Sequence, residues 1–226
     1  MSNQFRAGWS VLFDWDGVVV DSSRMHEKSW EILAAELNLP LPEGHFRRGF
    51  GMKNERVIPE VLGWAHEPEK VRMIAERKEA CYREIALAEG LEPMAGVREI
   101  LKRLHEAGVP CAIASSTPRA NIDFILERMG IHIYFSAITT GDQVPHGKPA
   151  PDIFLHAAKQ LGGLPALVFE DSLVGIEAGK RAGMAVVAVT TTHPAHELGT
   201  ADKIVNRLDE LSVEEARTLA LTGRRV

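Results

Sequence analysis

The chain has few of the features that mark secreted, membrane-bound or nucleic-acid-binding proteins. Its 226 residues include two cysteines, Cys81 and Cys111, which lie far apart and match no zinc-binding spacing. It has no run of about eighteen apolar residues, so the sequence predicts no transmembrane helix. Positive charge is also scarce: 26 lysines and arginines against 31 acidic residues give a net charge of −5, which argues against a nucleic-acid binder.

The first ten residues, MSNQFRAGWS, contain no apolar signal region. Together with reduced cysteines, this absence predicts a cytoplasmic protein. We expect neither a membrane nor a nucleic acid as partner, and a monomer or weak dimer. What the chain does contain is ordinary for a globular protein, with 45% hydrophobic and 25% charged residues. Its length suits one domain, or one domain that carries a smaller inserted one.

Short apolar runs alternate with amphipathic stretches of helical length through most of the sequence. This alternation is typical of a parallel sheet covered by helices, whose apolar strands are buried on both faces. The predicted strands are residues 10–13, 110–114, 166–169 and 185–189, with a short one near Ile204. The predicted helices between them are residues 97–107, 119–129, 151–161 and 173–182. The fold class is therefore α/β, with a doubly wound parallel sheet.

One long segment interrupts the alternation. Between the first two predicted strands, residues 22–92 show only helical patterns, over 24–37, 55–62 and 68–88. Such a connection is too long for a simple crossover between strands. We therefore predict an inserted α-helical domain at residues 22–92 and a core formed by residues 1–21 and 93–226.

The strongest candidate for a chemical site follows the first predicted strand, where apolar residues run into Asp-Trp-Asp-Gly at 14–17. In an extended chain, Asp14 and Asp16 point to the same side. Two ionised carboxylates cannot share one site without a cation between them or a proton on one of them. A plain surface turn is the alternative. A calcium loop of the EF-hand type is excluded, because it requires a ligand, a glycine and a glutamate at Val18, Val19 and Met25.

Three further segments carry polar residues at strand ends or in a fixed turn. Ser115 and Ser116 follow the second predicted strand, where hydroxyls and helix amides bind phosphate or simply cap the helix. Lys148 stands between glycine and proline, where it neutralises a phosphoryl oxygen, pairs with a carboxylate or stays solvated. Glu170 and Asp171 end the third predicted strand, and burial of such residues is costly unless they are paired, metal-bound or used as a cap.

These segments converge on one edge of the predicted sheet, the carboxyl ends of parallel strands, where open α/β sheets bind ligands. They resemble, in order, the four motifs of the haloacid dehalogenase superfamily: Asp14 with Asp16, Ser115, Lys148, and Glu170 with Asp171. The resemblance covers essentially the whole chain, because residues 22–92 are similar to that superfamily's cap domain, inserted in a Rossmann-like core. Residues 147–152 and 170–183 resemble the branch that contains β-phosphoglucomutase and phosphoglycolate phosphatase.

The resemblance implies phosphate chemistry, because the dehalogenases lack the second aspartate. It implies that Asp14 attacks phosphorus and forms an aspartyl phosphate. Asp16 then serves as general acid for the leaving oxygen and as general base for the incoming acceptor. Mg²⁺ is implied as the cofactor, held by Asp14, the main-chain carbonyl of Asp16 and Asp171, with Glu170 close by or ligating.

The resemblance also implies the groups that hold the substrate. Ser115 and Lys148 carry the remaining phosphoryl charge. Residues expected to contact the rest of the substrate are Ser116, His26, Lys53 and Asn121. The alternatives are an exposed helix histidine for His26 and a solvated charged loop around Lys53.

The expected function is magnesium-dependent hydrolysis of a small phosphorylated metabolite, either a sugar phosphate or a phosphoglycolate-like compound. The alternative is β-phosphoglucomutase, which uses the same motifs and differs in how well the cap excludes water and grips a second phosphate. A binding protein with a degenerate site is disfavoured, because the chain retains Asp14, Asp16, Lys148 and Asp171.

Overall fold

Residues 7–223, which the computed structural model describes, contain a six-stranded parallel sheet. Its strands are β1 Ser10–Phe13, β2 Cys111–Ser115, β3 Phe135–Thr140, β4 Ala166–Glu170, β5 Ala185–Val189 and β6 Lys203–Val205. They lie in the order β3-β2-β1-β4-β5-β6, and every neighbouring pair is parallel. The predicted doubly wound α/β fold is confirmed.

Helices fill the connection between β1 and β2. They are α1 Ser23–Leu37, α2 His45–Gly49, α3 Asn54–Arg56, a π-helical turn Val57–Leu62, and α4 Pro68–Glu89. Their apolar sides meet around Trp30, Leu33 and Ile58 in a hydrophobic cluster separate from those of the sheet. Val20 pairs with Pro93 where the chain leaves and re-enters the core. The inserted helical cap is confirmed, while its division from the core at residues 22 and 92 stays a prediction.

The sheet is covered on both faces. In β1, Val11 and Phe13 pack on one side and Leu12 on the other, because successive side chains of a strand point to opposite faces. The covering helices are α5 Val97–Glu106, α6 Arg119–Met129, α7 Asp152–Gln160, α8 Leu173–Arg181 and α9 Val213–Thr222. Helices α5, α6 and α9 share the cluster of Val11 and Phe13, whereas α7 and α8 share that of Leu12.

Three elements escaped the sequence analysis. The edge strand β3 has the mixed sequence FSAITT and is only partly buried, so it lacks a continuous apolar run. Helix α2 has five residues, and α9 follows the last predicted strand. Strands β2 and β4 extend to Ser115 and Glu170, one residue beyond prediction, so these polar side chains lie on the strands themselves. Among the helices described, none combines the length and hydrophobicity that crossing a bilayer requires.

Candidate active site

The carboxylate of Asp14 lies buried directly after β1. The amide of Asp14 donates to the carbonyl of Phe169 on β4, which continues the strand pairing up to this residue. One carboxylate oxygen, Oδ1, accepts a hydrogen bond of 2.7 Å from the ammonium of Lys148. Burial raises the pKa of Asp14 to about 7, and the nearby charge of Glu170 adds to this while Lys148 opposes it. Asp14 is therefore an anionic group that its surroundings only partly compensate.

Lys148 joins two carboxylates inside the protein. It is 1% exposed, and its Nζ lies 2.7 Å from Asp14 Oδ1 and 2.6 Å from Glu170 Oε1. Burial alone lowers the pKa of Lys148, but Asp14 and Glu170 outweigh burial and raise it, so the ammonium stays charged. The backbone at this point has a cis peptide bond between Lys148 and Pro149. Of the alternatives for this lysine, the structure shows pairing with carboxylates and excludes solvation.

Glu170 is held from both sides by the protein. Its Oε1 accepts from Lys148, while Oε2 accepts from the amides of Asp171 and Ser172 and from the Ser172 hydroxyl. Gly175 makes room for it, because a Cβ there would lie 1.7 Å from Glu170 Oε1. With these partners, Glu170 is placed to orient Lys148 and has little free capacity to bind a metal directly.

Asp171 has the free capacity that Glu170 lacks. Its Oδ2 accepts from the hydroxyls of Thr191 and Thr192, but its buried Oδ1 has no hydrogen-bond partner among residues 7–223. Burial raises the pKa of Asp171 well above its usual range, and the charges of Glu170 and Asp14 add to this. Gly17, with φ of 79°, passes so close that a Cβ would lie 2.0 Å from Asp171 Oδ2.

These carboxylates fit a magnesium ion. One oxygen each from Asp14, Glu170 and Asp171 lies within 4.8 Å of the others. Carboxylate oxygens are the ligands that Mg²⁺ prefers, and one lysine cannot offset three buried negative charges. The unpartnered Asp171 Oδ1 is the atom that most clearly calls for a cation. The predicted ligand roles of Asp14 and Asp171 are therefore compatible with the geometry, and Glu170 suits the position beside the ion.

The second aspartate faces the cap. The carboxylate of Asp16 accepts from the Ser22 hydroxyl, from the Thr117 hydroxyl, and from His26 Nε2 at 3.0 Å. Burial alone raises the pKa of Asp16, but His26 and the two hydroxyls outweigh burial and lower this pKa to about 2. The Asp16 side chain thus lies outside the acidic cluster, which agrees with a metal role through its main-chain carbonyl only. That role stays a prediction.

Ser115, the last residue of β2, and Ser116 line the cavity between core and cap. Ser115 is buried, and its Oγ accepts from the amide of Thr117 at 3.1 Å. Ser116 donates to the carbonyl of Gly51 in the cap at 3.0 Å. Helix α6 begins at Arg119 with no side-chain cap. Simple helix capping therefore does not explain these serines, and their predicted contact with phosphate and substrate remains open to test.

The cap residues differ in where their side chains lie. A cavity of about 1160 Å³ separates cap and core, and both His26 and Lys53 line it together with Asp14, Asp16, Ser115 and Ser116. His26 is 8% exposed, so an exposed helix histidine is excluded. Lys53 Nζ donates to the carbonyl of Val144 at 3.2 Å, which ties it to the core. The amide of Asn121 is fully buried between Glu79 and Arg83, so it serves a cap-to-core contact in this structure.

Sequence reasoning missed a buried ion pair in the cap, Lys78 with Glu79 on α4. A signal was present, because Lys78 follows Val71, Ile74 and Ala75 at the three- and four-residue spacing of the buried face of α4. A charged residue on such a face requires a partner. Lys78 also contacts His26, so the pair belongs to the surroundings of the site.

Comparisons with known proteins point to one family. Residues 10–183 match the family described as haloacid dehalogenase-like hydrolase. The chain is 38% identical over 221 residues to the chloroplastic 5-amino-6-(5-phospho-D-ribitylamino)uracil phosphatase of Arabidopsis thaliana, a match that covers 95% of this chain and 59% of that protein. It is 32% identical over 214 residues to β-phosphoglucomutase of Bacillus subtilis, which covers 91% and 92% of the two chains.

A solved structure shows the same architecture. The crystal structure of a haloacid dehalogenase hydrolase of family IA, variant 3, from Entamoeba histolytica superposes with a TM-score of 0.84 at 26% identity, over 94% of this chain and 99% of that one. The family match spans most of the sequence and includes the segments that carry Asp14, Ser115, Lys148 and Glu170 with Asp171. This chain belongs to the haloacid dehalogenase-like hydrolases.

Proposed function

We propose that the protein is a magnesium-dependent phosphatase that acts on a small phosphomonoester through an aspartyl phosphate on Asp14. One observation carries this proposal: Asp14, at the wall of the cavity under the cap, lies beside Lys148 and in one cluster with Asp171, whose Oδ1 has no hydrogen-bond partner among the described residues. The arrangement combines a nucleophilic carboxylate with groups that offset phosphoryl charge. Phosphoryl transfer needs little beyond such positioning and electrostatic stabilisation.

Each residue of the site has a task in the two steps. Asp14 forms a bond to phosphorus as the leaving oxygen departs, and water then releases phosphate from the carboxylate. Lys148, held by Glu170, and Ser115 stabilise the phosphoryl oxygens. A magnesium ion held by Asp14 and Asp171, with the Asp16 carbonyl as a further ligand, would neutralise the charges that otherwise keep two anions apart.

Asp16 serves both steps by changing its protonation. In the arrangement observed its pKa of about 2 keeps it ionised, which is the form that accepts a proton from the attacking water. Departure of the leaving group requires the protonated form, and His26 Nε2, which lies 3.0 Å from the Asp16 carboxylate, orients that carboxylate by a hydrogen bond. The cap helix α1 therefore takes part in the acid–base chemistry that we propose.

The size of the cavity supports a substrate larger than a triose phosphate. Its volume of about 1160 Å³ lies slightly above the about 300–1,000 Å³ that is usual for ligand pockets. Its cap side includes Phe46 and Phe50, whose ring centroids are 5.3 Å apart and which offer an apolar wall to a leaving group. Phosphorylated sugars and polyols are thus the substrate class to test, and the aminouracil ribityl phosphate in the Arabidopsis relative's name is the first compound.

A phosphomutase is the second candidate, which the similarity to the Bacillus enzyme favours. A mutase must grip a second phosphate while excluding water. Several cations at the cavity wall, however, already pair with carboxylates of this chain: Arg56 with Glu60, Arg72 with Glu69, Arg119 with Asp123, and Arg181 with Glu177. A second phosphate would have to compete with these carboxylates for the cations, which favours hydrolysis.

The test measures phosphate release from p-nitrophenyl phosphate, sugar phosphates, phosphoglycolate and the aminouracil compound with Mg²⁺ present. In Asp14→Asn the amide is a poor nucleophile, so we expect the fold to persist and turnover to disappear. Turnover of this variant within about tenfold of wild type would contradict the covalent mechanism. Phosphorus NMR with β-glucose 1-phosphate and a bisphosphate activator separates the two candidates, because only a mutase forms glucose 6-phosphate faster than free phosphate.

A further inference from the structure

Helix α4 of the cap carries two consecutive charged residues that are almost fully buried. Lys78 is 2% exposed and Glu79 is 6% exposed. Burial of charge is costly unless each group is paired and hydrogen-bonded. Neither residue takes part in the chemistry of Asp14, so their burial requires an explanation of its own.

Lys78 fixes the imidazole of His26. Its Nζ lies 2.6 Å from His26 Nδ1, and an ammonium only donates, so Nδ1 accepts and Nε2–H donates to Asp16. The ring of Tyr82 stacks on the imidazole with centroids 4.1 Å apart. The ammonium itself lies 5.3 Å from the ring centroid of Trp30. Lys78 thus sets the tautomer of His26, and Tyr82 sets its plane.

Glu79 continues this chain of contacts to the core. Its Oε1 accepts from Lys78 at 2.9 Å and from Asn54 Nδ2 at 2.6 Å, whereas Oε2 accepts from Asn121 Nδ2. Asn121 lies in the first turn of α6 on the core, and Arg83 donates to its Oδ1 at 2.8 Å. The Arg83 contact determines which end of the amide faces Glu79.

The contacts form a circuit that starts and ends on the core. From Asn121 it passes through Glu79, Lys78 and His26 to Asp16, whose other oxygen accepts from Thr117. Thr117 lies two residues before α6 and Asn121 lies in its first turn, so the same part of the core binds both ends of the circuit. The alignment of His26 with Asp16 therefore depends on where the cap rests on α6.

We propose that Glu79 and Asn121 are positioning residues: their hydrogen bond between cap and core holds Lys78 and His26 in line with Asp16. The kinetic consequence rests on the proposed phosphatase function, whereas the geometric content does not. Loss of this bond is expected to lower kcat for substrates whose leaving group needs a proton, with little change in KM. An activated aryl phosphate, whose leaving group needs no proton, is affected less in the first step.

A reciprocal exchange of the carboxylate and the amide tests the proposal. In Glu79→Gln the new amide has one oxygen for donors on two sides, so its nitrogen faces either the nitrogen of Asn121, which Arg83 prevents from turning, or Lys78 and Asn54. In Asn121→Asp two buried carboxylates face each other and repel. The double variant E79Q/N121D restores a donor opposite an acceptor and leaves an oxygen for Lys78 and Asn54 on residue 79. Each single change is expected to reduce kcat on a sugar phosphate about tenfold, and the double change to recover most of it.

Two matched substitutions control for the chemistry of the exchange. Glu84→Gln changes an exposed residue of the same helix that pairs with Arg77, and Asn206→Asp changes an exposed residue of the core. Both are expected to retain wild-type kcat. Thermal unfolding confirms that each protein is folded, and if N121D alone does not fold, the comparison of E79Q with the double variant carries the test.

A second readout needs no turnover. Nitrogen NMR of the His26 ring reports whether Nδ1 accepts and Nε2 donates, and we expect this pattern to change in each single variant and return in the double one. Absence of phosphate release by wild type would defeat the proposed function and leave this readout intact. The positioning role is overturned if the single variants keep the His26 signals and kcat of wild type, or if the double variant restores neither.

Discussion

Two clusters of buried charged residues lie beside the same cavity, and the aspartate pKa is shifted in opposite directions in them. In the acidic cluster of the core, the pKa of Asp14 is raised to about 7 and Asp171 keeps one oxygen without a partner. In the cap-facing network, the pKa of Asp16 is lowered to about 2. Every carboxylate oxygen of Asp16 and Glu79 accepts a hydrogen bond. The first group is incomplete without a cation, whereas the second completes itself when the cap meets the core.

This difference assigns separate roles to the two regions. A cluster that is short of positive charge in the protein alone is suited to the magnesium ion that we propose. A saturated network gains nothing from a metal, but it is rigid and ties acid–base residues to the position of the cap. A substitution in one region is therefore expected to leave the metal binding or the acid–base chemistry proposed for the other unchanged.

Metal removal is expected to have the largest effect, and only through the core cluster. EDTA should abolish turnover, and Mg²⁺ should restore it while also raising the melting temperature, because the ion relieves repulsion among buried carboxylates. Calcium should bind but inhibit, since it accepts a looser geometry. Asp171→Asn is expected to lose the Mg²⁺-dependent rise in Tm, whereas the cap variant Glu79→Gln keeps it. Full activity after exhaustive chelation would refute the metal site.

Removal of the Asp16 carboxylate, which we propose as general acid and base, is expected to have the second largest effect. Asp16→Ala should lower turnover of a sugar phosphate by the roughly 10²–10⁴-fold that general acid–base catalysis contributes. With p-nitrophenyl phosphate the first step should be much less affected, because its leaving group needs no proton. Single-turnover bursts measure that step. An equal loss on both substrates would show that Asp16 does not protonate the leaving group. The rise in Tm that Mg²⁺ produces should be unchanged if the Asp16 side chain lies outside the metal cluster.

The pH dependence of stability is expected to distinguish the regions without any assay. The pKa of Asp14 rises from 3.8 to about 7 on folding, so its stabilising contribution is present below the lower value and lost as pH rises through the higher one. In EDTA, wild type should therefore lose stability relative to Asp14→Asn between about pH 4 and pH 7. Urea unfolding across this range measures it, and Mg²⁺ should remove the difference. Parallel curves without metal would count against a buried, uncompensated Asp14.

The sequence predicted the core site better than the cap because of how each is built. Strand β1, with the sequence SVLF, is buried throughout and Asp14 follows it directly, so the strand and the carboxylate at its end follow from the sequence pattern. The role of that carboxylate is what the resemblance to the family implies. The same reasoning identified Lys148 and Glu170 with Asp171. The contact of Asp16 with His26 spans only ten residues, but its partners Thr117 and Lys78 lie far away in the sequence.

Long-range packing also explains what was missed. The spacing of Lys78 places it on the buried face of α4, but nothing in the sequence of that helix identifies His26 and Asn121 as the partners of Lys78 and Glu79. The edge strand β3 was missed because its outer face is partly exposed, which removes the apolar run that identified the inner strands. The sequence pattern therefore predicts the polar residues at the strand ends of the core, and it does not predict the contacts between cap and core.

The smallest expected effect concerns Lys53, which contacts the core from the cap side. Its Nζ donates to a carbonyl at 3.2 Å, and its aliphatic chain approaches Gly141 and Gly147 so closely that a Cβ at either glycine would lie 3.0–3.1 Å away. In Lys53→Ala we expect KM to rise for a substrate with a second anionic group. The rise should correspond to a loss of roughly 1–3 kcal/mol in binding free energy, the scale of a charged hydrogen bond.

A control variant and two kinds of substrate distinguish recognition of the substrate by Lys53 from a role in holding the cap against the core. Lys28→Ala removes a cap lysine that pairs with Glu89 and should leave KM unchanged. A simple aryl phosphate, which has no second anion, should bind Lys53→Ala about as well as wild type. If Lys53 recognises the substrate, the loss appears only with the doubly anionic compound. If it acts by holding the cap against the core, KM rises for every substrate alike, and Lys53 then belongs with Glu79 and Asn121 as a residue of the closed interface.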